Sequence, residues 1–271
     1  MTWTIDAGGT RSHVLEDGTF PASPRFVFKG YDEAVHGSFV RPYLDADGML
    51  PGRMTALLIE ADGRPVLVDA GMGRFGFDIG AGHALDELAD LGVRPLDVRT
   101  VVITHGHADH VGGLLGPDGA PVFADARHVI HRAEASFWAS DEAAAMPGGA
   151  GAPAAQALST LVDAGLLDQI EGASRIGPDV QVIEAPGHTP GHVAVVIGDA
   201  LLWAGDAIVA SLNVTHPQWV SAADMDGPEN QATRRALLGR AADGDLLLAA
   251  VHLPVELHVG RTSDAFEVLQ G

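Results

Sequence analysis

The stretch Thr104-His105-Gly106-His107-Ala108-Asp109-His110 constrains this chain more than any other. It follows the apolar run Val101-Val102-Ile103, which reads as a buried strand, so four metal-capable side chains crowd into one strand end. Side chains alternate along a strand, which lets His105 and His107 point the same way. The turn that leaves the strand brings Asp109 and His110 in from another side, and Gly106 and Ala108 keep the backbone uncrowded. Imidazole beside a carboxylate suits zinc, iron, manganese or copper, and favours a catalytic site over a thiolate-type structural one. A solvated His-rich loop is the plain alternative in a chain with 13 histidines. That reading suits a lone histidine, not this pattern at a strand end. The stretch is read as half of a metal site.

Further donors follow in order: His188 in Ala185-Pro186-Gly187-His188-Thr189-Pro190-Gly191-His192, Asp206 in Trp203-Ala204-Gly205-Asp206, and His252 in Ala250-Val251-His252-Leu253-Pro254. With His-x-His-x-Asp-His, this series resembles the signature of the metallo-β-lactamase superfamily of metallohydrolases, over residues 54–252. The resemblance implies an α/β fold, a four-layer αββα sandwich of two related halves, with the metal site at one edge of the two central sheets. It assigns His105, His107 and His188 to one metal, Asp109, His110 and His252 to a second, and Asp206 to a bridge between them. The implied cofactors are two divalent ions; Zn2+ is the default, and Mn2+, Fe2+ or Co2+ fit the same donors. Ions about 3.5 to 4 Å apart can share a hydroxide, because bound water falls toward a pKa of about 7. By the same resemblance Asp109 is the catalytic residue that orients this nucleophile and protonates the leaving group. Asp69, in Asp69-Ala70-Gly71, is expected to support the ligands from behind, with a turn-capping role as its rival. His192 is expected to be a structural hydrogen-bonding residue, and His216 nothing more than a candidate for the pocket wall.

Departures from the family narrow the reading. Electron-transferring diiron members usually carry Glu where this chain has His107, and quorum-quenching lactonases often place a Tyr where it has Val209. The stretches 203–209 and 250–254 look closest to the methyl-parathion-hydrolase and lactonase-type branch. The expected activity is hydrolysis of small esters or lactones, with phosphotriesters as a further substrate. The alternatives are a β-lactam hydrolase and a mononuclear iron persulfide dioxygenase, which uses only part of the donor set. A metal-free binding protein is disfavoured, because no donor is missing.

Composition sets the remaining bounds. The formal charge is −20, from 36 acidic against 16 basic residues. Such a field repels phosphate backbones and acidic membranes, so neither nucleic acid nor membrane is expected as a partner, and a neutral small-molecule substrate is. Association as a homodimer stays open. Without cysteine the chain has no disulfide, thiolate site or Cys nucleophile. Its 271 residues, 46% hydrophobic, suit one domain over 1–271, with 1–53 as a less regular N-terminal arm. No apolar run reaches bilayer length, and the start Met1-Thr2-Trp3-Thr4-Ile5-Asp6 has neither a basic region nor an apolar core, so a cytoplasmic location is expected.

Periodicity predicts short strands at 26–28, 57–59, 66–68, 98–103, 122–123, 128–130, 180–183, 193–197, 201–203 and 246–251. Turns are read at Gly8-Gly9, Asp17-Gly18, Gly198-Asp199 and Ala61-Asp62-Gly63-Arg64. Helices are predicted at 83–91, 133–145, 154–167 and 229–242. The Gly-rich segment 147–153 reads as a helix connection, with a lid over the site as the sharper alternative.

Overall fold

The computed structural model describes residues 2–61, 63–263 and 265–269. Among these, the strands form two sheets of seven, each in sequential order. The first holds β1 (Trp3–Ala7), β2 (Thr10–Thr19), β3 (Arg53–Ile59), β4 (Val66–Val68), β5 (Thr100–Val102), β6 (Arg127–His131) and β7 (Leu167–Ile170). The second holds β8 (Ser174–Arg175), β9 (Val180–Glu184), β10 (Val193–Ile197), β11 (Leu201–Trp203), β12 (Leu247–Ala249), β13 (Leu257–Arg261) and β14 (Phe266–Leu269). The helices are α1 (Pro24–Val27), α2 (Glu33–Val40), α3 (Ala84–Asp90), α4 (Ala108–Val111), α5 (Arg132–Trp138), α6 (Asp141–Ala144), α7 (Ala152–Asp163), α8 (Leu212–Thr215) and α9 (Gly227–Gly244). No helix among the described residues is long and apolar enough to cross a membrane.

Strands buried on both faces lose the polar-apolar alternation of a half-exposed sheet, which is why the central runs read as continuous apolar stretches. Leu57, Val68 and Val102 meet Val182, Val195 and Trp203 between the sheets. On the opposite face Leu58, Leu67 and Val101 pack with Leu88, Leu158 and Leu161 of α3 and α7. Leu202 and Leu248 do the same against Leu237 and Leu238 of α9. The result is the four-layer αββα arrangement. Pairing is parallel from β4 to β7 and between β11 and β12, and antiparallel elsewhere. The ends of β4, β5, β9, β11 and β12 deliver the polar loops to one edge.

Several local expectations are corrected. Trp3–Ala7 and Thr10–Thr19, strands that periodicity leaves unpredicted, pair as a hairpin on the edge of the first sheet. Buried Ser12, His13 and Asp17 interrupt its apolar pattern and hide the strand from a hydropathy reading. Asp17-Gly18 is a bulge in β2, not a turn, and Asp17 accepts from the backbone N–H groups of Met72 (2.9 Å) and Ala84 (3.0 Å). Phe26 and Val27 lie in helix α1, because Ser23 caps the helix and Pro24 suits its first turn. Val122 and Phe123 occupy a turn. The helix expected at 133–145 divides after Trp138, where the Ser140 hydroxyl donates to the Phe137 carbonyl (2.6 Å) and accepts from the Ala143 N–H to begin α6. Gly165, at φ +68°, ends α7 and frees Leu167 for β7. The turn expected at Ala61-Asp62-Gly63-Arg64 includes Asp62, which lies outside the described residues; the flanking strands pair antiparallel from Ile59↔Val66. The 147–153 segment joins α6 to α7 through a 3-10 turn at Pro147–Gly149.

Candidate metal centre

His105 and His107 leave the end of β5, Asp109 and His110 lie on the single turn of α4, and His188, Asp206 and His252 follow β9, β11 and β12. All seven side chains converge. One donor atom from each of His105, His107, His188 and Asp206 lies within 4.8 Å of the others, and the same holds for Asp109, His110, Asp206 and His252. Asp206 belongs to both groups. In the first, His107 Nδ1 is 2.9 Å from His105 Nε2 and 3.1 Å from His188 Nε2. In the second, His252 Nε2 is 3.1 Å from Asp206 Oδ2 and 3.6 Å from Asp109 Oδ2.

The groups behind these donors decide which nitrogen faces the centre. His110 Nδ1 donates to Asp69 Oδ2 at 2.8 Å, and His188 Nδ1 donates to Asp224 Oδ1 at 2.9 Å. His252 Nδ1 donates to the Arg53 carbonyl of β3. His105 Nδ1 is 3.1 Å from the Thr104 hydroxyl, which itself donates to Asp69 at 2.7 Å. An acceptor on Nδ1 holds the proton there and leaves the Nε2 lone pair free to bind a cation. Four histidines thus present a free Nε2 lone pair.

The residues fit divalent cations on three grounds. The donor set is nitrogen and carboxylate oxygen without thiolate, the usual choice for a catalytic ion of this type. His110 Nε2 and Asp206 Oδ1 are buried without a hydrogen-bond partner, although buried polar atoms almost always have one. The field is also cation-seeking: burial opposes charge on His252, but Asp206 and Asp109 outweigh it and lift its pKa to about 9. At His107 burial dominates instead and pushes the pKa down to about 3, which leaves a neutral imidazole.

Above the donors opens a cavity of about 350 Å³. Phe20, Ala22, Phe26, Val27, Met54, Met72, Ile79 and Val209 line its wall, while His107, Asp109, His188, Asp206 and His252 line its polar end. Among the described residues no lysine or arginine lines it. His216 packs against Trp219 and Phe39 at ring separations of 4.2 and 4.6 Å, and is not among the lining residues. His192 is buried, with Nδ1 on the Ala185 carbonyl and Nε2 accepting the Asp206 N–H, both at 3.0 Å. The 147–153 segment contributes nothing to the wall.

Comparison with known proteins supplies the family. Residues 51–252 match the model of the metallo-β-lactamase superfamily. The chain belongs to this superfamily. It is a metal-dependent hydrolase of that group, and a probable metallo-hydrolase of Mycobacterium bovis is 30% identical to it over 239 residues, 73% of this chain and 74% of that protein. Among solved structures it is similar to AidC, a dizinc quorum-quenching lactonase in complex with a product, with TM-score 0.89, 23% identity, and coverage of 100% and 97% of the two chains. It is also similar to AbOPH, a hydrolase in the β-lactamase superfamily, with TM-score 0.86, 25% identity, and coverage of 99% and 96%.

Sequence reasoning missed two carboxylates behind this superfamily site. Asp224 accepts from His188, from Asn230 Nδ2 (2.8 Å) and from the Ser221 N–H (2.9 Å), and lies 3.7 Å from the buried Arg234 guanidinium. Glu134, on α5, is fully buried behind the His105-Gly106-His107 turn. Neither lies at a motif spacing, and polar neighbours such as Arg132 and Asp226 leave no hydropathy signal that singles either one out.

Proposed function

We propose that the chain hydrolyses small, uncharged esters or lactones at a dinuclear centre, with phosphotriesters as a further substrate class. The observation that carries this is the convergence of seven donors, Asp206 shared, at the end of a cavity whose wall bears no basic side chain. His105, His107, His188 and Asp206 would hold one ion, and Asp109, His110, His252 and Asp206 the other. Divalent ions held there would lower the pKa of a bound water toward about 7 and polarise the oxygen under attack.

The chain's own residues do the rest. The apolar wall excludes water and holds the organic part of the substrate, while the net charge of −20 disfavours the approach of an anion. Asp109 reaches the site from the first turn of α4, with its carboxylate 3.6 Å from both His110 Nε2 and His252 Nε2. There it accepts the proton of the attacking water and returns it to the leaving alkoxide as the C–O bond breaks. Ester plus water gives acid plus alcohol, so atoms balance. Val209 on the wall offers no hydroxyl to the carbonyl. The dizinc lactonase in the comparison supports the lactone reading by the likeness of its fold.

The test is elemental analysis of protein purified without added metal, followed by turnover of lactones, nitrophenyl esters and a phosphotriester. Two divalent ions per chain with turnover of at least one class is the expected result. A single iron with oxygen uptake, or two ions with no turnover of any class, would refute it.

A further inference from the structure

Glu134 contributes a carboxylate that is 0% exposed and is surrounded by donors. Oε1 accepts from the Gly106 N–H at 2.9 Å and from the Trp138 indole N–H at 2.5 Å. Oε2 accepts from the Thr189 hydroxyl at 2.8 Å and from the Gly191 N–H at 2.9 Å. Gly106 lies between His105 and His107 in the first half of the chain, and Thr189 follows His188 in the second. One carboxylate therefore spans the two loops whose three histidines make up most of the first group.

The packing is tight on both sides. A Cβ at Gly106 would lie 2.4 Å from the Trp138 indole nitrogen, and one at Gly191 would lie 2.2 Å from the Glu134 backbone nitrogen. Glu134 and Trp138 are one helical turn apart on α5, so they share a face and press on both loops together. Trp138 also meets the His107 ring edge-on at 5.6 Å. The second group is held differently: His110 by Asp69, and His252 by the Arg53 carbonyl.

We propose that Glu134 is a positioning residue for one of the two ions: it clamps the His105–His107 turn to the His188 loop and leaves the Asp109–His110–His252 group to other supports. This rests on the dinuclear reading above. All four partners are donors, so a carboxylate satisfies both ends. An amide would set its NH2 against at least one backbone N–H, that of Gly106 or that of Gly191, and loosen that loop. The geometry predicts unequal metal sites in the variant, not a uniform loss.

The experiment is a chelator-competition titration of zinc-free protein, wild type and Glu134→Gln, with the absorption spectrum of the cobalt(II) form as a second readout. Wild type should bind two ions, and the variant should bind one roughly 10- to 100-fold more weakly while the other stays near wild type. The cobalt spectrum should lose intensity from one site only. Thr189→Val, which removes one donor and keeps Glu134, should shift the same site in the same direction, and it serves if Glu134→Gln fails to fold. Two wild-type affinities in both variants, or an equal loss at both sites, would overturn the assignment. A wild-type protein that does not bind two ions would instead refute the dinuclear reading, and this inference with it.

Discussion

Asp69 Oδ2 accepts from His110 Nδ1 at 2.8 Å, with both side chains fully buried, while Asp69 itself holds a left-handed φ of +62°. The same carboxylate takes the Thr104 N–H at 2.8 Å, so it fixes both the His110 tautomer and the start of the histidine turn. Asp69→Asn keeps a residue that tolerates this backbone but weakens the acceptor behind His110. Metal affinity at one site should fall roughly 10- to 100-fold, as for other groups that orient ligands. Chelator competition measures this, and unchanged affinity would remove Asp69 from the support of the site.

Asp206 and His107 differ in what they should cost. Asp206 contributes to both groups of donors and His107 to one. Asp206→Ala should lose both ions, His107→Ala one, and both should lose hydrolysis. Circular dichroism of the metal-free variants should match metal-free wild type. Retained turnover in either variant would show that the chemistry lies elsewhere.

His128 predicts acid sensitivity. It is buried in β6, neither ring nitrogen makes a hydrogen bond, and burial pushes its pKa down to about 4. The unfolded chain, with an ordinary His near 6.5, binds the proton first, so stability falls as pH drops from about 6.5 to about 4. Above that window the residue is neutral in both states and contributes no pH dependence. The full shift corresponds to roughly 3 kcal/mol. Denaturant melts of metal-free His128→Leu should show a flatter acid limb than wild type; parallel limbs would refute the assignment.

Phe26 lines the cavity and is 50% exposed. Phe26→Ala should raise KM for substrates with an apolar substituent roughly 5- to 30-fold, the loss of about 1 to 2 kcal/mol of apolar contact. Substrates lacking that substituent should change little, and kcat should hold for both. An equal effect on both substrates would mean that the ring shapes the fold of the wall and does not bind substrate.

The sequence alone determined the central strands of both sheets and the positions where polar loops leave them. Apolar runs at 57–59, 66–68, 193–197 and 201–203 mark buried strands because burial on both faces demands continuous apolar residues. His105, His107, Asp109 and His110 are legible as one constellation because they are local in sequence. The tertiary structure decided what stands behind and above them. His110 meets Asp69 41 residues away, His188 meets Asp224 36 residues on, and Glu134 joins Gly106 to Gly191 across separations of 28 and 57 residues. Phe20, Phe26 and Val27 reach the cavity from a segment whose apolar run at 26–28 reads as a strand and folds as a helix. These pairings carry no sequence period, since they arise where two sheets and their helices pack, and only packing brings a single acidic residue to the loops it holds.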